Sequence, residues 1–101
     1  MTATGAPGVT ALARLRALPG REAAVRDQAL ALVAPTRSEP GNRSYRPYED
    51  PLAPGTWVVV EEWADAVSWE AHLASPHLAA ALARSAGLLD GPPDVRVFGA
   101  G

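Results

Sequence analysis

The fold is decided by residues 56–63, which read TWVVVEEW. Trp57 to Val60 form a continuous run of aromatic and β-branched side chains, and such a run is typical of a strand that is covered on both faces. We therefore predict a strand over Thr56 to Trp63 in the centre of a β-sheet. The other elements are placed outward from it.

The residues before this strand predict a strand, a helix and a second strand. Residues 9–18 alternate small apolar side chains with arginines, as in a half-buried strand, and Pro19-Gly20 ends the pattern. Residues 21–35 predict an Ala-rich helix, because their apolar positions recur on one face. Residues 42–48 read as a short strand, and Pro47 places that strand at a sheet edge or at a bulge.

The residues after the central strand predict a broken helix and a last strand. A helix is expected from residue 65 or 66, and Ser75-Pro76 is a cap and first-turn pair that opens another, running toward Ala86. Residues 94–98 supply the last strand. Three side chains of the first helical stretch are expected to face the sheet: Val67, Glu70 and Ala71.

The order strand, helix, strand, strand, helix, strand is the ferredoxin-like βαββαβ pattern of an α+β fold. It predicts a four-stranded antiparallel sheet with the helices on one face. The 101 residues suit a single domain, with an ordered core from about residue 9 to residue 98. The face without helices would be bare, and pairing with a second copy would bury it. We therefore expect a homodimer, the dimeric α+β barrel.

Composition argues against several classes of function. The chain has no cysteine, which removes disulfides, iron–sulfur clusters, thiolate zinc sites and a Cys nucleophile. The net charge is -2 and the basic residues are spread along the chain, so no nucleic-acid partner is expected. No apolar run approaches the roughly 20 residues of a membrane span, and residues 1–8 lack a secretory signal, so we expect a cytoplasmic protein without membrane contact.

Two indoles and a carboxylate share one face of the central strand. Side chains alternate along a strand, so Trp57, Val59, Glu61 and Trp63 point the same way. In one interpretation the tryptophans fill the core and Glu61 pairs with an arginine of a neighbouring strand. In the other, the indoles form a wall for a flat substrate, and Glu61 holds an arginine or a histidine in place. The sequence leaves both open.

His72 and His77 are the two imidazoles of the chain. They lie five residues apart across the Ser-Pro break, so their spacing does not put them on one helical face and does not match a HExxH metal pair. With no third nitrogen or sulfur ligand available, we predict no metal site. Acid–base or hydrogen-bonding work is the functional interpretation of His72, and a buried, hydrogen-bonded helix residue is the structural one. His77 is expected at a solvated or interface position.

Tyr45 and Tyr48 lie on opposite faces of their predicted strand, so only one of them can reach a given pocket. We select Tyr45, whose phenol could donate a hydrogen bond to a substrate oxygen, although a tyrosine tied to a backbone carbonyl is equally compatible with the sequence. Glu39-Pro40-Gly41 is interpreted as a turn that aims the edge strand, without a role in chemistry.

Over residues 9–98 the sequence resembles the antibiotic biosynthesis monooxygenase family. The resemblance is carried by Pro19-Gly20, Thr36-Arg37, Glu39-Pro40-Gly41, Tyr45, Glu61-Glu62-Trp63 and His72 to His77. It implies small homodimeric proteins, some of which oxidise polycyclic phenols without a metal or flavin. Trp63 matches the pocket tryptophan of those enzymes, and Trp69 falls where they place an aromatic phenol. Val59 stands in place of their polar amide, and Arg84 lies one position from their helix-borne arginine.

The same resemblance disfavours haem degradation. The haem-degrading relatives need an asparagine on the first strand and an axial histidine late in the second helix. Ala13 and residues 79–81, all alanine, stand in those places.

Two functions are compatible with these residues. The first is a cofactor-independent monooxygenase that uses dioxygen to oxidise a planar aromatic phenol, anthrone or quinol-like substrate, with His72, Trp63 and Tyr45 as catalytic residues. Its substrate contacts are expected from Trp57, Val59, Glu61, Trp69, His77 and Arg84. The second is a non-catalytic dimeric module that binds a small ligand or acts in stress. A pocket onto which the three catalytic candidates converge favours the first, and a buried His72 without open volume favours the second.

Overall fold

The computed structural model describes residues 8–99, and its elements follow the predicted order with both helical regions divided in two. The elements are β1 (Val9–Arg16), α1 (Glu22–Ala31), α2 (Val33–Arg37), β2 (Asn42–Glu49), β3 (Thr56–Trp63), α3 (Ala66–Leu73), α4 (Pro76–Ser85) and β4 (Asp94–Phe98). The chain ends, residues 1–7 and 100–101, lie outside the described part. None of the described helices is long and apolar enough to cross a membrane.

The four strands form one open antiparallel sheet in the order β2-β3-β1-β4. The prediction of a central strand over residues 56–63 is confirmed, since β3 pairs with β1 on one side and β2 on the other. Strand β2 is at the edge, as Pro47 indicated. Its irregularity, however, falls between Asn42 and Ser44. The α+β ferredoxin-like fold is thereby confirmed.

The first helical region is broken at Leu32, so the prediction of one continuous helix to Pro35 was wrong. Pro35 has no N–H to donate to the carbonyl of Ala31, and its ring would collide with that carbonyl in a continuous helix. Helix α1 therefore ends at Ala31. A second helix, α2, begins at Val33 and accommodates Pro35 in its first turn. Helix α2 places Arg37 beside the edge strand, where its guanidinium donates to the Tyr45 carbonyl at 3.0 and 3.2 Å.

The second helical region is divided by the predicted Ser75-Pro76 pair. Asp65 caps α3 by accepting from the Ser68 N–H at 2.8 Å, and Ser75 caps α4, which begins at Pro76. The predicted inward face of α3 was wrong, because its sheet-facing residues are Trp69 and His72. These rings stand three residues apart on one helix face, and burying them removes more apolar surface than burying a valine and an alanine. Three residues are exposed instead: Val67, Glu70 and Ala71.

The helices cover one face of the sheet and leave the other open. At one end of the covered face Trp57 packs with Val25 and Leu89. At the other end Trp63 and His72 are fully buried. Register pairing places a set of apolar side chains together on the open face, where they are half-buried or exposed: Leu12, Tyr48, Val58, Val60 and Phe98.

Candidate functional site

A cavity of about 220 Å³ lies between the helices and the covered face of the sheet. Leu82 and Val95 border it and are 49% and 46% exposed, so the cavity reaches the protein surface. Its walls are otherwise mainly aliphatic and aromatic. Five polar residues line it: Gln28, Tyr45, Glu61, His72 and Ser85. An apolar hollow with a few polar groups is the usual form of a small-molecule site.

Two imidazoles converge on one carboxylate oxygen beside this cavity. His72 Nδ1 lies 2.7 Å from Glu39 Oε2, and His77 Nε2 lies 2.6 Å from the same atom. These are the lengths of charge-assisted hydrogen bonds, with each ring N–H donating to the carboxylate. His72 is 2% exposed, whereas the His77 side chain is 23% exposed. The cluster therefore runs from the buried wall of the cavity toward solvent.

The other nitrogen of His72 faces a second carboxylate. His72 Nε2 lies 3.5 Å from Glu61 Oε1, which also accepts a hydrogen bond from Trp63 Nε1 at 3.1 Å. A neutral His72 carries one ring proton. If that proton is on Nδ1, where it is donated in the hydrogen bond to Glu39, the lone pair is on Nε2. The basic nitrogen of His72 is then the one on the Glu61 side, and both residues line the cavity.

Burial raises the pKa of Glu61 above its ordinary value, and the nearby charge of Glu39 raises it further. His72 and the Trp63 hydrogen bond act in the opposite direction. Glu61 faces a histidine, which the second interpretation allowed, and none of the ion pairs among the described residues joins it to an arginine.

Aromatic rings surround His72. The ring centroids of Trp63 and Trp69 lie 4.8 and 5.9 Å from that of His72, and the Tyr45 ring lies at 6.2 Å. Burial raises the pKa of the Tyr45 phenol, and the charges of Glu61 and Glu39 raise it further. Tyr45 therefore remains a phenol that can donate a hydrogen bond and does not serve as a base.

The structure separates the predicted site residues into two groups. Five of them line the cavity: Tyr45, Val59, Glu61, Trp69 and His72. Trp63 is 0% exposed and lies behind His72. Trp57 belongs to the Val25 and Leu89 cluster, Arg84 is exposed on α4, and His77 contacts Glu39 outside the cavity lining.

Glu39 is the residue that the sequence interpretation missed. It lies in the segment predicted as a turn without a role in chemistry, yet its carboxylate joins the two histidines across 33 and 38 residues of sequence. The two imidazoles do not share one helical face, since His72 lies on α3 and His77 on α4, yet both rings reach the same Glu39 oxygen. No pattern of neighbouring residues connects Glu39 with the histidines, so the sequence offered no local signal for this contact.

This cluster also bears on the prediction that the chain has no metal site. One donor atom each from Glu39, His72 and His77 lies within 4.8 Å of the others, and imidazole with carboxylate is a donor set that zinc accepts. The two short separations are those of hydrogen bonds, whereas tetrahedral zinc holds its ligand atoms about 3.3 Å apart. The ligands would have to spread to hold an ion, and the absence of a metal site stays a prediction.

Gly41 fixes the turn that presents Glu39. Its φ is +83°, a conformation that costs little only for glycine. A Cβ at this position would lie 2.5 Å from Ser68 Cβ and closer still to Ser68 Oγ. That hydroxyl is held by Asp65 at 2.7 Å, and the Gly41 carbonyl accepts from the Ala64 N–H at 2.7 Å. The Glu39 turn is thus packed directly against the start of α3.

Replacement of Glu61 by glutamine is expected to stabilise the protein at pH 8 and to have little effect near pH 4.5. Because the native pKa of Glu61 is raised, the folded state binds its proton more tightly than the unfolded state. Stability is therefore lost as pH rises from the ordinary value of 4.5 through the native pKa. Glutamine has no charge to bury and can still accept from Trp63 Nε1.

The measurement is urea unfolding of both proteins at several pH values. Glu62→Gln is the matched control, because Glu62 is the exposed neighbour on the opposite face. A Glu61→Gln effect that does not grow with pH would contradict the raised pKa.

Comparison with known proteins covers the cluster of Glu39, His72 and His77 and most of the cavity lining. Residues 8–84 match the model of the family described as antibiotic biosynthesis monooxygenase. The chain is 33% identical over 82 residues to the Escherichia coli (strain K12) protein named "Probable quinol monooxygenase YgiN". The aligned region covers 71% of this chain and 79% of that protein.

Two solved structures with recognisable sequence identity have the same fold. Rv0793 from Mycobacterium tuberculosis superposes with a TM-score of 0.84 at 33% identity, covering 90% of this chain and 92% of that chain. PA3566 from Pseudomonas aeruginosa gives a TM-score of 0.82 at 26% identity, covering 97% and 95%. The matched segment contains Glu39, Glu61, His72 and His77.

Proposed function

Since this chain belongs to the antibiotic biosynthesis monooxygenase family, we propose that it is a cofactor-independent monooxygenase that oxidises a planar aromatic phenol or quinol with dioxygen. The observation that carries the proposal is the cavity of about 220 Å³, onto which His72, Tyr45 and Glu61 bring polar groups while the rest of the wall is mainly apolar. Such a cavity suits a flat apolar ring that carries an oxygen at one edge.

In this proposal His72 is the general base. Its Nε2 takes the proton of a substrate phenol, and the phenolate carries negative charge onto an activated ring carbon. That carbon gives electrons to dioxygen and forms a carbon–oxygen bond, and the distal oxygen takes the proton from His72. The base then removes the hydrogen of the same carbon as the O–O bond breaks, and the leaving hydroxide takes that proton from the base to form water. Substrate and dioxygen thus give a quinone and water, with the substrate as the only electron donor.

The other residues would bind and polarise the substrate. The Tyr45 phenol stays protonated and can donate to the phenolate oxygen, which stabilises charge that develops during the reaction. Trp69 lines the cavity and offers an aromatic face to a flat ring. Trp63 is fully buried, so its part would be to pack against His72 and to hold Glu61.

A non-catalytic ligand-binding module is the second candidate. It is favoured by the burial of His72, which is 2% exposed and has a carboxylate beside each ring nitrogen. In that case the same cavity would hold a ligand without turnover.

Oxygen uptake by the purified, chelator-treated protein distinguishes the two candidates. The panel contains naphthols, quinols and anthrones, and ligand binding is followed in parallel by tryptophan fluorescence. Uptake that saturates with substrate is expected. Binding without any uptake would reject the oxygenase in favour of the binding module.

We also propose that two copies pair through the open face of the sheet. Tyr48 and Phe98 are 53% and 52% exposed there, and Val58, Val60 and Leu12 lie between them in the register. An apolar sheet face of this kind is stabilised when a second copy covers it.

Val60→Arg is expected to convert the dimer into a monomer. Val60 pairs with Leu12 and Arg46, so an added arginine places charge in the middle of the face and next to a like charge. Sedimentation velocity measures the outcome. Val67→Arg makes the same change on an exposed part of α3 and should leave the dimer intact. A wild-type protein that sediments as a monomer at every concentration would reject the pairing.

A further inference from the structure

We infer that Glu39 is a positioning residue for His72 and that His77 sets how strongly Glu39 acts. The inference rests on the proposed function for its catalytic meaning, and the geometry on which it stands is independent of turnover. Glu39 would fix which nitrogen of His72 is basic and hold the positive charge that His72 gains. His77 would share the same oxygen and so weaken that effect.

The first step of the argument is the tautomer of His72. A carboxylate is an acceptor only, so the 2.7 Å contact requires the proton on Nδ1. This leaves Nε2 as the lone-pair atom beside Glu61 and the cavity. The same division of labour is found where a carboxylate orients a catalytic imidazole: it sets the tautomer and stabilises the imidazolium that forms.

The second step is the charge that His72 gains when it acts as a base. The imidazolium would be buried, and a buried charge needs a partner of opposite sign. Glu39 Oε2 is the closest anionic atom, at 2.7 Å, while Glu61 Oε1 lies at 3.5 Å and burial favours its neutral form. Glu39 is therefore the main stabiliser of the charged base.

The third step is the competition from His77. Its Nε2 lies 2.6 Å from the same Oε2 atom that receives His72. An N–H donated to that oxygen draws negative charge away from His72, and a protonated His77 would add direct repulsion across a centroid separation of 6.1 Å. Glu39 and His77 thus act on His72 with opposite signs.

Among the described residues, few titratable groups face His72 from the elements packed against it. The Glu39 turn and α4 contribute Glu39 and His77, β3 contributes Glu61, and β2 contributes Tyr45, which remains neutral. The remaining ring neighbours, Trp63 and Trp69, carry no charge. The two opposed effects are therefore measurable by changing one residue at a time.

The test is a pair of variants, Glu39→Gln and His77→Ala. Glutamine keeps an oxygen that can accept from Nδ1 but removes the charge, and alanine removes the competing donor. With only two histidines in the chain, ¹⁵N-labelled imidazole signals can be assigned from the variants themselves. The pH midpoint of the His72 signal should fall by about one unit or more in Glu39→Gln, as for the loss of an opposite charge at close range. It should rise in His77→Ala.

A merely structural role would lower the melting temperature of both variants without moving the two midpoints in opposite directions. Midpoints that stay at the wild-type value, or that move the same way, would overturn the inference. Glu62→Gln is the control for removing an exposed carboxylate and should leave the His72 midpoint in place.

Two further measurements distinguish this inference from the proposed function and from a metal site. The acidic limb of the pH profile of oxygen uptake should shift with the His72 midpoint. NMR midpoints that move in opposite directions, without any oxygen uptake, would contradict the proposed function while supporting the role of Glu39. Zinc is then added to the wild type. A rise in melting temperature that Glu39→Gln abolishes would overturn the positioning role in favour of a metal site.

Discussion

His72→Asn is expected to lower kcat for oxygen uptake by about 10²- to 10⁴-fold, the usual contribution of a general base. The asparagine amide can donate to Glu39 in place of Nδ1, so the hydrogen bond at 2.7 Å has a substitute while the basic Nε2 is lost. The measurement is steady-state oxygen uptake with the best substrate of the panel. Melting temperature is recorded beside it.

Asparagine is preferable to alanine at this position because His72 is fully buried and packs against Trp63. Alanine would leave a cavity and remove one of the two donors to the Glu39 carboxylate, so a loss of activity could come from a loss of folding. Turnover within twofold of wild type in a well-folded His72→Asn protein would remove His72 from the mechanism.

Gly41→Ala is expected to cost about 3 kcal/mol or more in the free energy of unfolding. Strain at a positive φ contributes about 1 to 3 kcal/mol, and overpacking against Ser68 adds a similar amount. Ser68 cannot turn away freely, because its hydroxyl is bonded to Asp65. Urea unfolding measures the cost.

Gly20→Ala is the matched control. Gly20 has the same φ of +83°, but among the described residues other than its two chain neighbours no atom lies within 4 Å of the position where its Cβ would be. It isolates backbone strain, so the difference between the two variants gives the cost of the collision at the Glu39 turn. Equal losses of stability would show that the close approach between this turn and α3 is not maintained in solution.

The sequence predicts the elements whose patterns are local. The apolar run of residues 57–60 predicted the central strand, and Ser75-Pro76 located the start of α4 with its cap and first-turn residue. Each of these signals lies within a few neighbouring residues. The break at Leu32 was misplaced because the effect of Pro35 falls on the carbonyl four residues earlier.

The site was only partly predictable because it is assembled over long distances. Side-chain alternation placed Glu61 and Trp63 on one face, and the indole and carboxylate do meet. No local pattern connects Glu39 with His72, because their contact depends on how helix α2 and the Gly41 turn position the Glu39 carboxylate. The same holds for Trp57, whose face was predicted but whose distance along the strand from the cavity was not.

The central claim is that one oxygen atom of dioxygen enters the product, and ¹⁸O₂ labelling tests it directly. Turnover under ¹⁸O₂ with a quinol or naphthol from the panel, followed by immediate extraction and mass spectrometry, is expected to give a quinone with one ¹⁸O atom. The same label should be absent from product formed in H₂¹⁸O under ordinary dioxygen. An unlabelled quinone formed together with hydrogen peroxide would show simple oxidation and contradict the monooxygenase account.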